Sequence, residues 1–126
     1  MLLDSHALIW AVDDPLKLGR QADAALRDPG NEVLVSAGTA WELSIKIGLG
    51  KLTLSLPFRQ WMARAMTDLG ASLLPITVEH ADEQSRLPKH HGDPFDRLLI
   101  AQALVEGFMV VSSDAVFDQY NVPRVW

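Results

Sequence analysis

A chain of 126 residues, 48% of them apolar and 21% charged, can bury one core, is too short for two, and is not of the disordered class. The absence of cysteine excludes a disulfide framework and fits a cytoplasmic protein, and no apolar run approaches the ~20 residues of a membrane span. The net charge of −5 speaks against a binder that works through a basic surface alone, but a site that gathers four carboxylates around a cation would account for most of that charge.

The chain opens on MLLDSHALIW, which lacks the basic start of a signal peptide; Met1–Leu3 is a short apolar run ending at Asp4. A helical pattern, Ala7, Leu8, Trp10 and Ala11, runs to Asp13-Asp14-Pro15, and a second helix over Arg20–Arg27 closes at the turn Asp28-Pro29-Gly30-Asn31. Glu32–Ser36 reads as a buried strand, followed by a helix from about Thr39 that carries Trp41 and Ile45 and stops at Gly48-Leu49-Gly50. Leu52–Leu56 is ambiguous between strand and loop. Pro57 starts a helix that runs to about Leu69, before Gly70.

Ser72–Ile76 reads as a strand and Val78–Leu87 as a helix with Thr77 as its cap. After the loop Pro88–Gly92 comes the clearest helix: Asp93 caps it, Pro94 takes its first position and Gly107 ends it. Met109–Ser112 is a strand, Asp114–Tyr120 a short helix and Val122–Trp126 an edge strand. Strands alternating with helical crossovers predict one α/β domain over residues 1–126, with a mainly parallel sheet covered on both faces.

In such sheets the functional crevice lies beyond the carboxyl ends of the strands. Asp4 and Asp114 follow strands directly; Glu42 lies about a turn into the helix after Glu32–Ser36, and Asp96 lies in the first turn of the helix opened by Asp93-Pro94. Each acid alone has a plain structural role: Asp4 and Asp114 as caps, Asp96 favoured by a helix dipole, Glu42 paired with Lys46 at i, i+4. Gathered in one crevice they would repel one another unless a cation neutralised them, and carboxylate oxygens are the ligands Mg²⁺ and Mn²⁺ prefer. Asp93 and Asp96 can both face the crevice from one turn; Pro94 favours Asp93 as the cap and gives Asp96 the ligand role.

The segments MLLDSHALIW, VSAGTAWELSIK, DPFDRLLIAQA and VVSSDAVF, in this order and spacing, resemble PIN-domain nucleases of the VapC toxin type. The resemblance implies a three-layer α/β/α fold and a metal-dependent endoribonuclease using Mg²⁺ or Mn²⁺. It further implies a homodimeric toxin held in check by an antitoxin protein, with Asp4, Glu42, Asp96 and Asp114 as catalytic and metal-binding acids. Ser112 matches a hydroxyl two residues before the last acid that can hold a metal-bound water or a neighbouring carboxylate, and Ser5 is a weaker contributor.

Arg97, Lys46, Arg86 and Lys89 are the cations nearest the acids in sequence and are candidate RNA contacts, with His91 at the crevice rim. The histidines have no zinc-ligand spacing, so His6 is read as partly buried structure; Trp10, Trp41 and Trp61 fall in helical patterns as core or interface residues. A signalling receiver domain would need a phosphoacceptor Asp at the end of the third strand, where Leu74-Pro75-Ile76 stands, and an Asp-nucleophile phosphatase a second acid where His6 stands. The remaining alternative is a non-catalytic RNA- or antitoxin-binding module on the same fold.

Overall fold

The computed structural model describes all residues from Met1 to Trp126. Five parallel strands, β1 (Leu2–Leu3), β2 (Leu34–Ser36), β3 (Ser72–Leu74), β4 (Val110–Val111) and β5 (Arg124–Val125), form one sheet in the order β3-β2-β1-β4-β5. Six α-helices connect them: α1 (Ser5–Asp13), α2 (Arg20–Arg27), α3 (Ala37–Gly48), α4 (Phe58–Asp68), α5 (Val78–Arg86) and α6 (Pro94–Glu106), with 3-10 turns at Pro15–Lys17 and Ala115–Tyr120.

Two-residue alternation along the strands divides the core. Leu3, Val33, Val35 and Val111 point to one face, against Ala7 and Leu8 of α1, Ala22 of α2, Leu43 of α3, and Trp61 and Ala65 of α4. Leu2, Leu34 and Val110 point to the other, against Leu87, Leu99, Ile100 and Ala103 and against Phe117, Tyr120 and Val122. The result is the expected α/β/α arrangement of three layers.

The strands are shorter than the apolar runs suggest, and Leu52–Leu56 forms no strand. Its three leucines instead pack on the edge of the first core, and Ser55 beside them donates its hydroxyl to Asp13 at 2.6 Å. Asp114–Tyr120 winds as a 3-10 rather than an α-helix. Trp61 is fully buried with its indole N–H on Asp13 Oδ1 at 3.0 Å, whereas Trp41, read as core or interface, stands 66% exposed.

The order in which strands are laid down reverses about β1: β2 and β3 are added on one side, and β4 and β5 on the other. This is the switch point at which a crevice opens beyond the strand ends. Beside it, Gly38 on α3 sits against α6, where a Cβ would run into the side chain of Leu98. Its absence lets α3 and α6 approach closely.

Candidate active site

Asp4 leaves β1 and caps α1, its Oδ1 accepting the Ala7 amide at 2.7 Å. Its Oδ2 accepts a hydrogen bond from the Ser112 hydroxyl at the end of β4, and the same Ser112 oxygen accepts the Asp114 amide at 3.0 Å. One serine therefore ties the first acid to the backbone of the last.

Glu42, one turn into α3, is buried; its Oε2 accepts from Lys46 Nζ at 2.7 Å and from the Ser5 hydroxyl at 3.4 Å. Asp93 caps α6, its Oδ1 accepting the amides of Phe95 and Asp96 at 2.9 and 3.1 Å. Asp114 caps the 3-10 turn through the Val116 amide at 2.9 Å.

Asp4, Glu42, Asp96 and Asp114, from four separate segments, line one cavity of about 420 Å³, together with Ser5, Lys46, Asp93 and Ser113. Asp93 thus has both roles weighed from the sequence, cap and cavity wall. His6 and Trp10 also line the cavity, which the sequence reading missed: His6 is exposed where partial burial was expected. Their place on the first turns after Asp4, four residues apart, was the available signal.

Burial is the main cause that pushes the Asp96 carboxyl up to about 6, with Asp93 next and Asp114 and Glu42 adding, against the opposing pull of His91. Burial also raises the Asp4 carboxyl; the hydrogen bonds from Ser112 and Ala7 resist it.

The cations sort differently from the sequence expectation. Lys46 lines the cavity. Arg86 lies outside it, exposed and paired with Asp82 and Glu83 at 3.0 and 2.9 Å. Lys89 is exposed on the loop before α6 and lines a neighbouring cavity of about 500 Å³. Arg97, read as a phosphate contact, is buried. Its Nη1 donates to Pro88 O at 2.8 Å and Tyr120 Oη at 3.2 Å, and its Nη2 to Leu87 O at 3.3 Å and Gln84 O at 3.4 Å. Arg97, the second residue after Pro94-Phe95, points away from the crevice toward the end of α5 and so does not face a phosphate there. His91 is held by Tyr120 Oη on Nδ1 at 2.8 Å, and its Nε2 stands 3.5 Å from Asp96 Oδ2.

No three His, Asp or Glu side chains converge closely enough, as they stand, to share an ion. The donor set nevertheless fits a hard divalent cation: the wall offers carboxylate oxygens, two of the acids are raised by burial, and Lys46 is the only lysine or arginine among the lining residues.

The raised Asp96 carboxyl makes a stability prediction. Its native state binds more protons than its unfolded state, so its cost is absent below the ordinary value of 3.8. The cost grows through the folded value of about 6 and is complete at neutral pH. Two pKa units correspond to roughly 3 kcal/mol, which solvent screening at this partly open site reduces to about 1–2 kcal/mol. Asp96→Asn also forfeits a dipole contact at the start of α6 worth about 0.3–1 kcal/mol. With EDTA at pH 7 the variant is expected to melt about 3 °C above wild type, the difference closing toward pH 4. A variant that melts lower at pH 7 would refute the repulsion.

A family model described as "PIN domain" matches residues 1–123. The chain is 29% identical over 130 residues to Ribonuclease VapC22 of Mycobacterium tuberculosis, spanning all of this chain and 98% of that one. Among solved structures, it resembles a chain of VapBC2 from Rickettsia felis bound to a DNA fragment from their promoter, with a TM-score of 0.69 at 14% identity over 98% of this chain and 96% of that one. It also resembles a chain of a toxin–antitoxin complex from Klebsiella pneumoniae, with a TM-score of 0.63 at 18% identity over 99% and 95%.

Proposed function

From the premise that this chain belongs to the PIN-domain family, we propose that it is an endoribonuclease, dependent on Mg²⁺ or Mn²⁺, that hydrolyses RNA phosphodiester bonds as the toxin of a toxin–antitoxin pair. The observation that carries this reading is the convergence of Asp4, Glu42, Asp96 and Asp114 on the walls of one cavity at the switch point of a parallel sheet.

Asp4, Glu42, Asp96 and Asp114 would hold the cation. When bound, it would neutralise a phosphodiester and lower the pKa of an attacking water. The protein's own share is positional. Ser112 and the Ala7 amide orient the two oxygens of Asp4, and Lys46 and Ser5 orient Glu42, so these acids are held at the cavity wall before the site loads. Lys46 Nζ, beside Glu42 and in the cavity wall, is placed to meet a phosphate oxygen. Asp93 holds the first turn of α6, and with it Asp96.

The antitoxin partner rests on likeness to the chains of the Rickettsia and Klebsiella complexes. A homodimer is supported by Trp41 and Ile45 on α3 and its capping residue Leu49, exposed at four-residue spacing. No helix is long and apolar enough to cross a membrane.

Incubation of the purified protein with single-stranded RNA and Mn²⁺ is expected to yield internal cleavage that EDTA abolishes. Cleavage that survives complete chelation would overturn the metal-dependent reading.

A further inference from the structure

The wall of the acid cavity carries two rings with no part in the chemistry so far described. His6 is exposed and Trp10 half-buried, on the side of α1 that borders Asp4. Their ring centroids lie 5.4 Å apart, tilted by 42°, and Trp10 is backed by Trp126 at 5.6 Å. An aromatic pair at i, i+4 is a common way to steady a helix. Here, however, both rings face the cavity that holds the acids.

Resting on the nuclease reading above, we propose that His6 and Trp10 form a stacking platform for one unpaired base of the RNA, next to the phosphate that enters the acid cavity.

The electrostatics of the cavity call for such a contact. Its wall holds Asp4, Glu42, Asp93, Asp96 and Asp114, and the one lysine or arginine in that wall, Lys46, is already engaged by Glu42. A phosphate backbone finds cationic attraction there only at Lys46 and at a bound divalent cation, so a contact indifferent to charge adds to binding beside them. Every base offers a π-face, and stacking on aromatic side chains is how proteins commonly hold unpaired nucleotides. The rings are already in direct contact, which leaves no room for a base between them; it lies on their outer surface. Because α1 starts at the residue after Asp4 and is capped by it, the platform is fixed in position relative to the first acid.

The platform requires an unpaired base, so it selects single-stranded over duplex RNA. It reads stacking rather than base-edge hydrogen bonds, so it favours no base strongly.

The test uses a fluorescein-labelled single-stranded oligouridine and a series in which each nucleoside in turn is replaced by an abasic ribitol. Affinity is read by fluorescence anisotropy with Mn²⁺ on an Asp96→Asn background, with cleavage by the otherwise wild-type protein followed in parallel. One abasic position is expected to weaken binding about tenfold while Trp10 is present. In Trp10→Leu, which keeps an apolar side chain against Trp126, that penalty should vanish and the other positions should be unchanged. His6→Ala, at an exposed side chain, should lose part of the same penalty, and it serves alone if Trp10→Leu does not fold. The platform is overturned if no position stands out, if there is no measurable binding, or if the penalty survives in both variants. Absence of any RNA cleavage by the wild-type protein would instead reject the nuclease reading.

Discussion

Asp4→Asn is expected to lower kcat/KM for RNA by a hundredfold or more at saturating Mn²⁺, with little change in the melting temperature. The fold should tolerate the change because asparagine is as good a helix cap as aspartate, and its side-chain oxygen can still accept the Ala7 amide. Ser112, which donates to Asp4 Oδ2, can turn its hydroxyl and accept from the new amide. What is lost is a charge and a hard oxygen ligand. Substitutions one layer out from a metal commonly cost about 10–100-fold, so loss of a ligand should exceed that. Asp93→Asn is the matched control: it keeps the cap on α6, and its cost should be smaller. Steady-state cleavage of a fluorogenic RNA together with circular-dichroism melts checks both. Asp4→Asn activity within tenfold of wild type would remove Asp4 from the site.

The largest stability loss should come from Arg97. Its guanidinium is buried with no carboxylate beside it, and its charge rests on the carbonyls of Gln84, Leu87 and Pro88, where α5 ends, and on the Tyr120 hydroxyl. A cation at a helix C-terminus is favoured by the dipole, and here it also supplies the donors that the last carbonyls lack. Arg97→Met keeps the apolar stem but leaves several of those acceptors without donors, each at about 1–3 kcal/mol if water cannot reach it. The expected destabilisation is about 3 kcal/mol, on the order of 10 °C in melting temperature for a domain of this size. Arg97→Lys restores the charge without the planar fork and should recover only part of it. Calorimetry on the three proteins decides this; an Arg97→Met protein within 2 °C of wild type would mean that water already serves those carbonyls. RNA affinity should change less than stability, since the guanidinium faces away from the acids.

The same residue marks the limit of what the sequence disclosed. Caps, turn residues and apolar runs located the strands and helices, because those signals act over a few residues. The acids were legible for a related reason: Asp4 and Asp114 follow strands, and Asp96 and Glu42 lie within about a turn of helix starts, positions that parallel topology carries to one edge of the sheet. Arg97 was misread because the direction of one side chain depends on where α5 ends in space, and nothing in the neighbouring sequence encodes that. His6 was read as partly buried structure and Trp10, by its helical spacing, as core or interface, although a helix bordering a cleft shows the same pattern as one facing the interior. Leu52–Leu56 alternated like a strand and folded as none, because its leucines found the side of the first core rather than a partner strand. Asp93 and Asp96, three residues apart, could both be expected at the crevice, and both border the cavity; Asp93 caps α6 as the Pro94 signature suggested.

The sheet order also sets a schedule for synthesis. β1 leaves the ribosome well before β4, yet it lies at the centre of the sheet and pairs with that strand. The Asp4–Ser112 hydrogen bond spans 108 residues of sequence. At roughly 5–20 residues per second, several seconds separate translation of the two partners. Through that interval a nascent chain holds Asp4 without the segment that carries Ser112 and Asp114, so the acid set is incomplete while the message is being read. An RNA-cutting enzyme built this way cannot complete its acid set until the segment that carries Ser112 and Asp114 has been made and β4 has paired with β1.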